Sequence, residues 1–322
     1  MTQKTTFIKQ RQNISSWAKR QYKEWKATLS KEYGLYLIFL IPLIWYIVFM
    51  YVPMYGLQIA FRRYNARLGI TGSPWVGTIY FSQFFNSYYF KDLIINTLVL
   101  NLFLMSIGFP MPILLALIVN EIHYRPLQKA VQNITYIPYF LSTVVIVSML
   151  NIFSNPNYGL FNTVREALGM SRIDLMAKEE YFRPLYVFSN VWQFMGFNSV
   201  IYIAALSAID PQLYEAAEID GASRFRMITS ISIPCIMPTI TILFIMRLGN
   251  IMNVGFEKVL LMQNAVNMGT SNVIATFIYT NGIQKGQFSY TAAVGIFNSL
   301  INVVILVAAN TITRRLGSSS LW

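Results

Sequence analysis

The sequence predicts an all-α integral membrane protein of six transmembrane helices, with both termini on the cytoplasmic side, on three observations. The 322 residues are 55% hydrophobic and only 12% charged, against about 45–50% and about 25% in a soluble domain. Six windows are free of Asp, Glu, Lys and Arg and reach the roughly 20 apolar residues that a bilayer crossing needs. The basic excess, 25 Lys and Arg against 13 Asp and Glu, falls between those windows, as it does around membrane spans, and not in one patch suited to nucleic acid.

Residues 1–33 form a basic cytoplasmic segment holding eight Lys and Arg against Glu24 and Glu32, a pattern that favours contact with anionic lipid. Residues 34–322 form the membrane domain, with spans near 35–57, 93–119, 132–154, 185–209, 227–247 and 288–313. With the N-terminus inside, cytoplasmic segments carry 14 basic residues against 11 spread over longer external loops, which orients the chain. Arg247 closes the fifth window and Arg314–Arg315 the sixth. Pro110 and Pro112 are expected to kink the second span. After the third span, Asn155–Gly159 reads as a turn and Leu160–Leu168 as a short amphipathic helix ended by Gly169.

Composition also narrows the chemistry. One cysteine, Cys235, and one histidine, His123, exclude a disulfide framework and a His- or Cys-based metal site. Cys235 reads as a small hydrophobe and His123 as a solvated loop residue. No G-x-x-x-x-G-K-[ST] phosphate loop is present, so energy must come from an ion gradient or from another polypeptide. The span interiors carry neutral polar residues such as Asn96, Asn101 and Asn298, whereas proton-coupled carriers keep ionisable groups there. An ion-coupled secondary transporter or channel using carbonyl and hydroxyl sites remains the alternative. A membrane enzyme would need clustered acids, a metal site or an exposed nucleophile, and the sequence shows none.

The loop over 210–226 differs from the others, holding four of the 13 acids between Asp210 and Asp220. Asp210 is placed to cap a helix whose first residue is Pro211. Leu213–Ile219 are good helix formers, and Gly221 supplies the left-handed position at the helix end. Asp220 or Ser223 is placed to cap the next helix, which leads into the fifth span. Ala216 and Ala217 leave backbone open to a close neighbour, while Glu215 and Glu218 charge one face, a surface that suits a groove on a partner.

Glu215-Ala216-Ala217, Asp220-Gly221-Ala222 and Ile231-x-x-Pro234 together resemble the EAA loop of binding-protein-dependent ABC importer permeases of the type I, MetI-like fold. The resemblance runs from about Leu93 to Arg314 and includes Tyr158–Asn162 and Ala204–Asp210. Asp210-Pro211 places the proline one position later than the family does. The Val52–Phe61 stretch is similar to the six-span permeases of oligosaccharide and polysaccharide importers.

The resemblance implies a non-catalytic permease subunit in a bacterial cytoplasmic membrane, working as half of a heterodimer with a second homologous permease. It implies two cytoplasmic ATP-binding subunits that carry ATP and Mg, so no cofactor in this chain. An extracytoplasmic substrate-binding protein would deliver a sugar. Glu215, Ala216, Ala217, Asp220, Gly221 and Ala222 would form the coupling loop that docks into the ATPase.

Aligned through Glu215, Asn190 and Trp192 fall where the similar maltose permease contacts substrate, and Gln193 lies in the same stretch. Asn198, about two turns further along, and Asn250 and Asn253 after the fifth span complete the candidate pathway. A membrane Trp also serves as an interface anchor and a membrane Asn as a helix–helix bond, and both readings stand beside the substrate-lining one. Glu257 and Lys258 read as an exposed pair on a loop.

Overall fold

The computed structural model describes residues 31–315, 317 and 320–322, so the basic segment expected over residues 1–33 lies almost wholly outside the described residues. The chain divides into two compact units, Met1–Gln58 and Ile59–Trp322. In the first, the chain is helical from Tyr33, where α1 (Tyr33–Phe61) begins; Pro42 lies inside it and none of Tyr33–Tyr51 is buried.

Among the described residues of the second unit, the helices are joined by turns and irregular segments, with two isolated bridges, Arg62–Trp75 and Asn65–Gly69. Its main helices are α2 (Phe90–Asn120), α3 (Arg125–Phe140), α4 (Thr143–Ser154), α5 (Leu160–Ala167), α6 (Glu179–Ser207), α7 (Pro211–Ile219), α8 (Arg224–Leu248), α9 (Phe256–Met262) and α10 (Phe288–Arg315). By length and composition, α1, α2, α8 and α10 are each able to cross a membrane; counting the bent pairs α3–α4 and α6–α7 as spans gives up to six.

The third apolar window, expected to hold a span near 132–154, is built from two helices and not one. α3 and α4 meet at 98°. Pro138 sits in a tight 3-10 turn that ends α3, and Leu141 and Ser142 are extended, with ψ of 137° and 152°. The Ser142 hydroxyl then accepts the Val145 N–H at 3.3 Å and starts α4. Apolar content alone does not separate one through-helix from two.

Three long helices carry a π-helical turn just ahead of a proline: Ile47–Tyr51 before Pro53, Leu104–Gly108 before Pro110, and Ile228–Ser232 before Pro234. A proline ring collides with the carbonyl four residues back and offers no N–H. One extra residue in the turn moves that carbonyl aside. The disruption expected at Pro110 and Pro112 therefore takes the form of a widened turn.

Three apolar clusters make the core, and α2 enters all of them. Leu100 and Leu104 pack with Phe182 and Tyr186 of α6 and Val259 and Met262 of α9. Leu93 packs with Phe84, Phe277 and Tyr290. Ala116 and Leu117 pack with Tyr202 and Leu206 of α6 and Ile236 of α8. Large apolar side chains such as Leu114, Ile118, Leu300, Val303 and Val304 point outward, a surface that suits lipid and not water. In lipid, close packing and hydrogen bonds hold helices together. Gly196 permits the tightest such approach, since a Cβ there would collide with the backbone carbonyl of Thr135 in α3.

Buried amides pin the connecting segments. Asn162, fully buried, donates to the carbonyls of Ser154, Asn155 and Ile173 at 2.9–3.1 Å and accepts from the Ile173 N–H. Asn267 likewise ties Met262 and Met176 to Asn264 and Ser271. Each amide satisfies backbone groups that an irregular buried segment would otherwise leave unpaired.

Candidate functional site

The candidate pathway residues do not share one wall: Asn190 and Trp192 lie on different faces of α6. Asn190 and Asn198, with Asn253 from the segment after α8, line a cavity of about 710 Å³, within the range of about 300–1,000 Å³ usual for ligand sites. Phe194 and Phe197 give it apolar walls and Arg247 adds a guanidinium, while Tyr186 is fully buried in that wall with its hydroxyl against Gly255. Trp192 is two residues beyond Asn190, about 200° around the helix. It lines a second cavity of the same volume with Phe103, Ile107, Val187 and Phe188.

Gln193 lines neither cavity. Its amide oxygen accepts a 2.8 Å hydrogen bond from Lys258 Nζ, and its amide nitrogen donates to the Leu141 carbonyl at 3.2 Å. Lys258 is only 4% exposed, which corrects the reading of Glu257 and Lys258 as an exposed pair. Neighbours on a helix point about 100° apart, so α9 leaves Glu257 outside and turns Lys258 inward. There Nζ also lies 5.6 Å from the Phe194 ring centroid. Burial pushes the ammonium pKa down to about 8.

Asn250 is exposed and also lies outside the cavity wall. Its amide oxygen accepts from Asn253 at 3.3 Å, and Asn298 of α10 donates to the Asn253 oxygen at 2.8 Å. The cavity-facing amide is thus held from both sides. Sequence reasoning missed Arg247, Tyr186 and Lys258. A sequence signal existed for Arg247, which stands three and six residues ahead of Asn250 and Asn253 but was read only as the end of a span.

At the far end of α6 the chain bends by 70° into α7. The Asp210 carboxylate accepts the Gln212 N–H at 3.0 Å, with Pro211 as the first helical residue. α7 ends on Gly221 at φ +73°. The Gly221 N–H bonds to the Glu218 carbonyl at 3.0 Å and the Ala222 N–H to the Ala217 carbonyl at 2.9 Å, the paired bonds of a Schellman ending. Ser223 caps α8 by accepting the Arg226 N–H at 3.3 Å. Arg224 meets Glu218 at 3.3 Å across the turn, with both side chains more than half exposed, so the pair adds little stability. Tyr214 and Ser232 share a 2.9 Å hydrogen bond that fastens α7 to α8.

No residue of α7 is buried. Glu215, Ala216, Asp220 and Gly221 are exposed, and Ala217 and Ala222 half-buried. Ile219 and Phe225 stand beside them at 87% and 76% exposure. The surface is therefore an acidic helix with an apolar rim, held rigidly to two long helices. Among the described residues, no group of three or more His, Cys, Asp or Glu gathers as a metal site would require.

Residues 108–318 match the family model described as binding-protein-dependent transport system inner membrane component. The chain is 40% identical over 304 residues to the polygalacturonan/rhamnogalacturonan transport system permease protein YteP of Bacillus subtilis (strain 168), covering 94% of this chain and 95% of that one. It is 36% identical to Protein LplB of the same organism, over 92% and 94% of the two chains. Among solved structures it superposes with a TM-score of 0.84 and 40% identity on a chain of a bacterial alginate ABC transporter, solved in complex with an alginate pentasaccharide-bound periplasmic protein. That match covers 91% of this chain and 98% of the other. A second structure of a transporter importing the acidic polysaccharide alginate gives the same score, with 92% of this chain covered. The chain belongs to the binding-protein-dependent transport system inner membrane components, as a multi-pass, non-catalytic permease subunit of an ABC importer.

Proposed function

We propose that this permease carries an oligosaccharide or polysaccharide released to it by an extracytoplasmic binding protein. Both termini lie in the cytoplasm, and the chain pairs with a second homologous permease and two ATP-binding subunits that hold ATP and Mg. Asn190, Asn198 and Asn253 offer amides to sugar hydroxyls. Asn250 positions Asn253, Gln193 holds Lys258 behind the Phe194 wall, and Trp192 works on the opposite face of α6. Glu215, Ala216, Ala217, Asp220, Gly221 and Ala222 form the surface that docks into an ATPase subunit.

One observation carries this reading. α6 is a single helix of 29 residues, about 43 Å long at 1.5 Å per residue. It lines the amide cavity along its length and ends at the capped turn into α7. Closure of the ATPase subunits against α7 thus acts on the helix that forms the cavity wall. The reading is tested by purifying the chain with its neighbours and measuring ATP hydrolysis with glycan-loaded binding protein. A complex with a second permease and two ATPases, stimulated by the loaded protein, is the expected result. A chain that transports alone, without ATPase subunits, contradicts it.

A further inference from the structure

α7 turns one face to the rest of the chain. Tyr214 and Ala217, one helical turn apart, are half-buried, while Leu213, Glu215, Ala216, Glu218 and Ile219 are exposed. From that inner face the Tyr214 hydroxyl meets the Ser232 hydroxyl of α8 at 2.9 Å. Ser232 is fully buried, and among the described residues neither hydroxyl has another hydrogen-bond partner. The one further side-chain hydrogen bond or ion pair between α7 and α8 among the described residues is the Glu218–Arg224 pair. Both of its side chains are more than half exposed, so it restrains little. The connecting turn, Asp220–Ser223, is exposed apart from half-buried Ala222.

Ser232 is the last residue of the π-helical turn Ile228–Ser232. There the Ile233 N–H bonds to the Ile228 carbonyl, five residues back, a wider ring than the α-helical one, and such turns recur at functional sites. Ile228 and Ile233 pack against the cluster that holds Tyr202 and Leu206 of α6. Beyond the turn α8 runs on to Arg247, about 22 Å away at 1.5 Å per residue. Arg247 and, past the helix end, Asn253 line the cavity together with Asn190 and Asn198 of α6.

The polar lining of the cavity thus comes from α6 and from α8 with the segment that follows it, and α7 is joined to each helix differently. The capped bend at Asp210 ties it to α6, and the Tyr214–Ser232 bond ties it to the base of α8. Without the Tyr214 hydroxyl, Ser232 is left buried and unpaired, and α7 can shift without the π-helical turn. We infer that Tyr214 and Ser232 are positioning residues for transport: their hydrogen bond makes the π-helical turn of α8 follow α7, so that a push on α7 reaches both helices that line the cavity. This inference rests on the reading of α7 as the surface that docks into an ATPase subunit.

The test uses the whole complex in nanodiscs, with Mg and the non-hydrolysable nucleotide AMP-PNP to close the ATPase subunits, so that the identity of the transported sugar does not enter. Amide exchange is compared with and without nucleotide. In the wild type, nucleotide is expected to change exchange by about threefold or more both across Gln212–Ile219 and across Ile228–Ile233. In Tyr214→Phe, which keeps the ring, the α7 response should remain, while the response across Ile228–Ile233 should shrink to within about 1.5-fold. Ser232→Ala should do the same, and the double variant should lose no more than either single one, because the two residues act through one bond. A bond that only stabilises the fold would quicken exchange equally with and without nucleotide and leave the response across Ile228–Ile233 intact; that result overturns the inference. So does a wild type in which α7 responds and Ile228–Ile233 does not. In both of those cases the docking reading stands, whereas a wild type in which neither segment responds overturns both.

Discussion

The Lys258 ammonium donates a 2.8 Å hydrogen bond to the Gln193 amide oxygen across 65 residues of sequence, and both side chains are buried. The pair joins α9 to α6 directly behind the cavity wall. Gln193→Leu leaves the ammonium without that acceptor, at a cost of about 1–3 kcal/mol or more for a charged group. The melting temperature of the purified complex should fall; an unchanged value would show that Lys258 finds another acceptor at no cost.

Lys258 also sets a pH dependence. Its folded-state pKa is lowered to about 8 from the ordinary 10.5, so between these values the unfolded chain holds the extra proton. Stability from this group therefore rises with pH from about 8 to 10.5 and is level below 8. Melting temperatures between pH 7 and 10 should show that rise in the wild type and a flatter profile in Lys258→Met. Identical slopes would remove Lys258 as the source.

Gly196 and the Thr135 carbonyl set how closely α3 packs on α6. Gly196→Val cannot be fitted without backbone movement, and overpacking of this kind costs about 1–3 kcal/mol. Folded yield from membranes and melting temperature should both drop. Full yield at wild-type stability would mean that the two helices separate freely.

Asp210→Ala removes the cap on α7 without touching the exposed face of that helix. Loss of such a cap costs about 1 kcal/mol, roughly fivefold in a local opening equilibrium. Amide exchange across Pro211–Ile219 should quicken by about that factor, with exchange in the body of α6 unchanged. Equal exchange in both proteins would show that Pro211 and the Tyr214–Ser232 bond hold the helix unaided.

Much of this was readable from residues close together in sequence. Asp210 before Pro211, and Gly221 followed by Ser223, are local signals whose hydrogen bonds form within a few residues, and the structure forms them. The break after Phe140 was hidden because Leu141 and Ser142 sit inside an unbroken apolar run. Lys258 was misplaced for a different reason. A lysine in a short polar stretch carries no mark of burial, which depends on Gln193, 65 residues away. Arg247 was seen as punctuation between a span and a loop, and only the packing of α8 beside α6 turns it to the cavity. Side chains that answer to distant partners are the ones a linear reading loses.

The central claim is that α7 transmits ATPase closure to α6. Glu215 is exposed and outside the ion pairs of the described chain, and Gly221 holds a positive φ that a β-branched residue adopts only with strain. The decisive measurement is the ratio of glycan uptake to ATP hydrolysis in reconstituted complexes carrying Glu215→Lys or Gly221→Val. The account predicts that both variants reach the membrane while uptake per ATP falls at least tenfold and stimulation by glycan-loaded binding protein is lost. Wild-type uptake with wild-type stimulation in both variants would contradict it.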